Sequence, residues 1–179
     1  MCMRELEAKI LEIDRRIVED TLARMGATKA FEGEVETIFY DFMDGSIVKA
    51  KNVMRLRSED KKFVLTYKNV FANQHAKKAE EYSVIVSDLV TMKKILESLG
   101  LVVIDSTRKY RISYELEAVR FDIDHYLGKY RHIPDFLEIE ASSVKTIHKY
   151  AKALGFKPKD CLNWPTAQLI EYYSQISDK

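Results

Sequence analysis

Apolar and polar residues alternate along much of the chain, the pattern of a strand with one buried face and one wet face, and the alternation recurs about eight times. The first stretch runs from about residue 3 to 12, where Leu6, Ala8 and Ile10 alternate with Glu5, Glu7 and Lys9. Others lie near 35 to 42, 52 to 59, 62 to 69 and 79 to 86, with a last group near 106 to 115, 118 to 125 and 135 to 142. Within them Phe63, Leu65 and Tyr67 oppose Val64, Thr66 and Lys68, and Leu56 sits between Arg55 and Arg57. A tight turn around Glu115 to Glu117 sets two of these strands face to face.

Helical periodicity fills the gaps. A helix over about 14 to 25 opens at Asp14 as N-cap, closes at Gly26 and lines Ile17, Val18, Leu22 and Met25 on one stripe. A second, over about 88 to 99, starts at Ser87 or Asp88 and ends at Gly100; a third, over about 143 to 154, ends at Gly155. The tail from Pro165 to Ile176 reads as helix with proline in its first turn. Strand, helix, four strands, helix, three strands, helices is not the regular alternation of a parallel α/β sheet. It predicts an α+β fold, an eight-stranded antiparallel β-barrel with flanking helices.

With 179 residues and 46% hydrophobic content the chain is large enough for one packed core, and it reads as a single domain over 1–179. The 29 Lys+Arg and 28 Asp+Glu leave a net charge of +1, so no global charge draws it to nucleic acid or an anionic membrane. Two cysteines without CxxC spacing and four scattered histidines give no zinc pattern. The charged start and the lack of any long apolar run predict a soluble, cytoplasmic protein.

The arrangement of charge says more than its sum. By parity one face of the strands carries Glu5, Glu7, Lys9, Arg55, Arg57, Lys68, Glu81, Lys109, Arg111, Arg120, Asp122, Asp124, Glu138 and Glu140, and the other is almost wholly apolar. Either helices cover the apolar face of an open sheet and the charges meet water, or the sheet closes and the charges converge on a lumen. Glutamates at i and i+2 point the same way, so Glu5 with Glu7 and Glu138 with Glu140 each present two carboxylates to one small volume. Such clusters repel themselves unless a cation sits among them. Hard oxygen donors select Mg2+ or Mn2+, and the surplus of lysine and arginine on the same face suits a polyanion such as a triphosphate.

Glu5-Leu6-Glu7-Ala8-Lys9 resembles the ExExK signature of the CYTH superfamily, the triphosphate tunnel metalloenzymes. The resemblance continues in order through Arg55-Leu56-Arg57, Thr66-Tyr67-Lys68, Glu81, Lys109-Tyr110-Arg111, Phe121-Asp122-Ile123-Asp124-His125 and Phe136-Leu137-Glu138-Ile139-Glu140. It implies that Glu5, Glu7, Asp124, Glu138 and Glu140 ligand one or two divalent ions. It implies equally that Lys9, Arg55, Arg57, Lys68, Lys109 and Arg111 hold phosphates, with Lys9, Lys68 and Glu138 as the catalytic set. Arg120 and Asp122 match less specific positions.

Departures bear on the reaction. Members often carry D-x-Y on the second strand, with the tyrosine given a base-assisting role in thiamine triphosphatases; Thr37 and Phe39 stand there, leaving Tyr40 or Lys68 as substitutes. Around Glu81, where relatives tend to have an arginine and further glutamates, the chain has Ala79, Ser83 and Ile85, which would leave room for a nucleoside or other organic group. The stretch between Asp124 and Glu138, with Lys129, Arg131 and His132, is expected to cap one end of the lumen.

Two activities are implied about equally, class IV adenylyl cyclase and triphosphatase, with ATP, thiamine triphosphate or inorganic triphosphate as substrate. A non-catalytic binder of nucleotide or polyphosphate is the alternative, and nucleic acid is not expected as a partner. A homodimer is left open. Tyr67, Tyr82, Tyr110 and Phe121 are expected in the core, Trp164 as an anchor for the final helix, and His125 pointing away from the lumen.

Overall fold

The computed structural model describes residues 6–73 and 76–177. Eight strands lie among them: β1 (Leu6–Ile10), β2 (Thr28–Phe42), β3 (Val53–Glu59), β4 (Lys62–Asn73), β5 (Ala76–Val86), β6 (Leu101–Leu116), β7 (Val119–Leu127) and β8 (Phe136–Ala141). Five α-helices accompany them: α1 (Arg15–Arg24), α2 (Ser46–Lys49), α3 (Leu89–Ser98), α4 (Val144–Ala153) and α5 (Thr166–Ser177). The sheet order is β1-β8-β7-β6-β2-β3-β4-β5, and the pairs β1 with β8, β7 with β8, β2 with β3, β3 with β4 and β4 with β5 are antiparallel. The fold class is the expected α+β arrangement of eight antiparallel strands with flanking helices. Among the described residues no helix is long and apolar enough to cross a membrane.

The capping residues act as their chemistry predicts. Asp14 accepts from the Ile17 N–H at 3.2 Å, Asp88 from Thr91 at 2.5 Å and Ser143 from Thr146 at 3.1 Å, each satisfying a donor in the first turn of α1, α3 and α4. Gly155, at φ 92°, takes the left-handed conformation that ends α4 without a Cβ penalty.

The chain groups into two compact units, one built on Glu34–Arg108, the other on Met3–Gly33 with Lys109–Lys179. In the first unit Ile38, Tyr40, Leu56, Leu96 and Leu101 form a core beneath α2 and α3. In the second, Val18 and Leu22 of α1 and Ile147 and Ala151 of α4 bury against Ile10, Phe121 and Ile139, each large side chain contributing about 1.5–3 kcal/mol. A further cluster there joins Tyr126, Ile133 and Phe136 to Leu169 and Tyr173 of α5.

Three local features depart from the sequence expectation. β2 starts at Thr28 instead of near residue 35: Thr28, Lys29 and Ala30 are all exposed, and beyond them the half-buried Phe31 and Gly33 alternate only weakly with the exposed Glu32 and Glu34. α2 was not foreseen: the buried Asp41 carboxylate accepts from the N–H groups of Phe42, Ile47 and Val48 at 2.7–3.0 Å, anchoring a single turn. Tyr82, expected in the core, is 60% exposed, since β5 ends the sheet order and, among the described residues, pairs with β4 on one side.

Candidate active site

Strand register fixes which side chains meet, because directly paired residues of antiparallel strands project from the same face. In the second unit Lys9 on β1 pairs with Glu138 on β8, and Glu138 in turn with Asp122 on β7; Glu140 pairs with both Glu7 and Arg120. β6 adds Lys109 and Arg111. The Lys9 ammonium bonds the Glu7 carboxylate at 2.5 Å and lies 3.1 Å from that of Glu138. The Arg111 guanidinium reaches three carboxylates: Asp122 at 2.5 Å, Asp124 through two bonds at 2.6 and 2.7 Å, and Glu138 at 2.6 Å. Lys109 donates to Asp124 at 2.5 Å, and Arg120 donates to Asp122 at 2.9 Å and to the buried Ser113 hydroxyl at 3.2 Å.

This network is almost dry: Asp124 is 0% exposed, Lys9 1% and Arg111 3%. Removing Lys9 from water favours its neutral form, but Glu138 and Glu7 outweigh burial and raise its pKa above the ordinary lysine range. The same balance works on Glu138, where burial favours protonation but Lys109, Lys9 and Arg111 prevail and hold the carboxyl well below the usual range. Burial opposes the Arg111 charge, and Asp124, Glu138 and Asp122 overcome it. All three groups stay charged near neutrality. Toward the Asp124 end the charged face is closed by Phe136 and Tyr126, on which α5 packs, and Lys109 lies 5.9 Å from the centre of the Phe136 ring.

The first unit repeats the theme in a wetter setting. Across β2, β3, β4 and β5 the register sets Thr37, Arg57, Val64 and Ile85 in one row; Phe39, Arg55, Thr66 and Ser83 form the next. Lys68 pairs with Glu81 in a third row. Glu81 takes Lys68 at 2.8 Å and Arg55 at 3.5 Å; burial would raise its pKa, but Lys68 and Arg55 lower it.

Two sets of lysines and arginines, one among several carboxylates and one around Glu81, thus lie on the strands of the two units. The model of the CYTH domain matches residues 3–154. The chain belongs to the CYTH family. It is 29% identical over 152 residues to the "Putative adenylate cyclase MJ0240" of Methanocaldococcus jannaschii, covering 85% of this chain and 84% of that one. The structure of a putative adenylate cyclase from Vibrio parahaemolyticus has the same fold, with a TM-score of 0.80 at 15% identity over 96% of this chain and 99% of that one. A Hippeastrum protein, described as a putative adenylyl cyclase that reveals a dominant triphosphatase activity, superimposes with a TM-score of 0.62 at 13% identity over 86% of this chain and 89% of that one.

Of the residues singled out in this CYTH chain, Glu7, Lys9, Lys109, Arg111, Asp124 and Glu138 form the network of the second unit, with Glu140 on the same face. Arg55, Arg57 and Lys68 share a face of the first. Glu5 lies outside the described residues. Asp122, ranked low on sequence, is 4% exposed and gripped by two arginines; alternation had placed it on the right face, but alternation cannot rank depth. Tyr40 is unsuited to replace a catalytic phenol: it packs in the apolar core, its hydroxyl is buried without a hydrogen-bond partner, and burial pushes its pKa up. His125 is turned to Asp135 at 2.7 Å. Trp164 stacks edge-on to Tyr172 of α5, the anchor expected of it. Between Asp124 and Glu138 it is Ile133 and Tyr130 that pack into the α5 cluster.

The fit to a divalent ion rests on donor chemistry. Among the described residues no three His, Cys, Asp or Glu are gathered as a metal site, yet Glu7 and Glu140 are directly opposed on β1 and β8, with Lys9 bonded to one oxygen of Glu7. Glu138, two residues away, shares their face, and all three offer hard oxygen donors of the kind magnesium and manganese prefer. Asp124 and Glu138 already have both oxygens engaged, Asp124 by Lys109 and Arg111 and Glu138 by Lys9 and Arg111.

Proposed function

We propose that this CYTH chain is a divalent-metal-dependent enzyme that breaks a phosphoanhydride bond in a triphosphate substrate. The observation that carries the reading is the dry network of Lys9, Lys109 and Arg111 on Asp122, Asp124 and Glu138. Aligning three cations costs solvation, and a surface that merely met water would have no use for it. Carboxylates behind the bases fix their direction, so that donors already point at charge developing on a transferred phosphoryl group. Lys9, Lys109 and Arg111 are assigned to the phosphates, and Asp122 and Asp124 to orienting them. The same phosphate-binding role is proposed for Arg55, Arg57 and Lys68.

Glu7, Glu138 and Glu140, with Glu5 by family resemblance, would hold magnesium or manganese, which when bound supplies Lewis-acid polarisation of a phosphoryl oxygen. Neither Lys9 nor Glu138 exchanges a proton near neutral pH, their pKa values being displaced outward from it. Their contribution is therefore electrostatic, in keeping with a loose phosphoryl transition state that needs positioning more than proton transfer.

Two nucleophiles fit the same clamp. Attack by the ribose 3′ hydroxyl of ATP on the α-phosphorus forms cyclic AMP, breaks the α–β bridge and expels pyrophosphate; the Methanocaldococcus relative's name and a β2 face bearing Thr37 and Phe39 in place of a phenol favour it. Attack by water on the terminal phosphorus releases orthophosphate, which the Hippeastrum protein's described activity favours. Incubation with ATP and with tripolyphosphate, followed by chromatography, separates cyclic AMP with pyrophosphate from orthophosphate. Binding without any product would leave a nucleotide- or polyphosphate-binding module and overturn the enzymatic reading.

A further inference from the structure

A strand residue that directs its N–H and C=O to the neighbour on one side has neither left for the other side. Lys9 is such a residue: its N–H donates to the Leu162 carbonyl at 2.8 Å, and its carbonyl accepts from the Leu162 N–H at 2.8 Å. Its pairing with Glu138 is therefore of the kind in which side chains lie close while the two main chains exchange no bond. The main chain of this buried lysine is thus bonded to a single residue between α4 and α5, beyond the residues 3–154 that the CYTH model matches.

The segment that carries Leu162 is itself moored. Trp164 packs edge-on against Tyr172, and Leu169 and Tyr173 are buried with Tyr126, Ile133 and Phe136. The same helix takes hold of the chain just past Lys9, where Leu11 packs on that cluster and the Tyr173 hydroxyl donates to the Glu12 carboxylate at 3.0 Å. Glu12 has a φ of 55°, a left-handed backbone that a residue with a Cβ holds only at a cost, so the contact falls where the turn out of β1 needs support. The Lys9 side chain is buried and its ammonium lies on Glu7 and Glu138. A packed stem passes any shift of the backbone to the ammonium, and a displacement of about 1 Å is enough to spoil the alignment of a charge with a reacting group.

We infer that Leu162 is a positioning residue for Lys9: the segment between α4 and α5, moored by α5, clamps the backbone of β1 and sets where the Lys9 ammonium meets a phosphate. The inference rests on the triphosphate reading of Lys9 above.

The test is calorimetric titration with tripolyphosphate in magnesium. Leu162→Pro deletes the N–H that the Lys9 carbonyl accepts and is expected to weaken binding about fivefold, whereas Leu162→Ala keeps that N–H and stays within about twofold of wild type. On a Lys9→Met background, where the stem remains and the charge is gone, Leu162→Pro should change binding by less than about twofold. A Leu162→Pro effect as large without the Lys9 charge as with it, no effect in either background, or a Leu162→Ala loss equal to that of Leu162→Pro overturns the inference and leaves the triphosphate reading standing. Lys9→Met protein that binds tripolyphosphate as tightly as wild type removes the phosphate role of Lys9 and the inference with it. Wild-type protein supplies a check that needs no variant: the Lys9 amide is expected to resist hydrogen exchange before any ligand is added, and exchange at the rate of an open chain overturns the clamp.

Discussion

In one unit Arg111 is spread over three carboxylates and has 4% of its side chain exposed; in the other Arg55 and Lys68 share Glu81 and keep 17% and 29% of theirs. The residue types are the same, and the surroundings set what each group is good for. Buried pairs are held by strong, weakly screened fields and lose heavily when one partner goes. Half-open pairs are screened, contribute little to stability and remain available to a ligand. On the function proposed above, both sets face the phosphates, the first as a rigid, aligned array of charge and the second as a more open one.

The largest effect should come from breaking the buried set. Arg111→Ala strands Asp122, Asp124 and Glu138 without their shared cation, and is expected to destabilise the protein by about 3–5 kcal/mol in urea unfolding. A loss below about 1 kcal/mol would place Arg111 with the exposed pairs and erase the contrast.

Acidity probes the same set less drastically. Glu138, whose folded pKa lies below its unfolded value of about 4.3, adds stability above that pH and loses it as pH falls through the folded value. Lys9, raised above about 10.4, adds stability below that pH and loses it as pH rises through the folded value. Between about pH 5 and pH 10 both contributions are constant, so the difference in melting temperature between wild type and Glu138→Gln should stay level there and shrink toward lower pH. A slope across neutral pH would mean that Glu138 titrates there.

The smallest change in stability belongs to the open set. Arg55→Ala and Lys68→Ala should each cost less than about 1 kcal/mol, yet each should weaken tripolyphosphate binding about tenfold through loss of a charge-assisted contact. Unchanged binding would remove these two residues from the phosphate site.

Much of this was readable from the chain alone, because a period of two is a property of residue order. Alternation put Lys9, Arg111 and Glu138 on one face, and Asp14 and Asp88 marked the starts of α1 and α3 that the structure shows. Depth was not readable. Nothing in the segment Phe121-Asp122-Ile123-Asp124 distinguishes a solvated aspartate from one sealed beneath two arginines, since burial of Asp122 depends on Arg111 arriving from β6 to join Arg120 of its own strand. The first half of β2 was faint because Thr28, Lys29 and Ala30 are exposed and only Phe31 offers a large apolar side chain before Val35, and α2 was silent because a four-residue turn hung on Asp41 has no periodicity. Tyr40 could be tested only once its neighbours Leu56 and Leu96 were known.

The central claim, that bases hold a triphosphate and acids hold the ion that activates it, is tested most directly by following phosphate and pyrophosphate release from ATP and tripolyphosphate across a magnesium series that begins in excess chelator. The account predicts no release in chelator, a saturable rise with magnesium, and a curve displaced at least about tenfold toward higher magnesium in Glu138→Gln. Release that persists in chelator, or a Glu138→Gln curve that overlays the wild type, would contradict it.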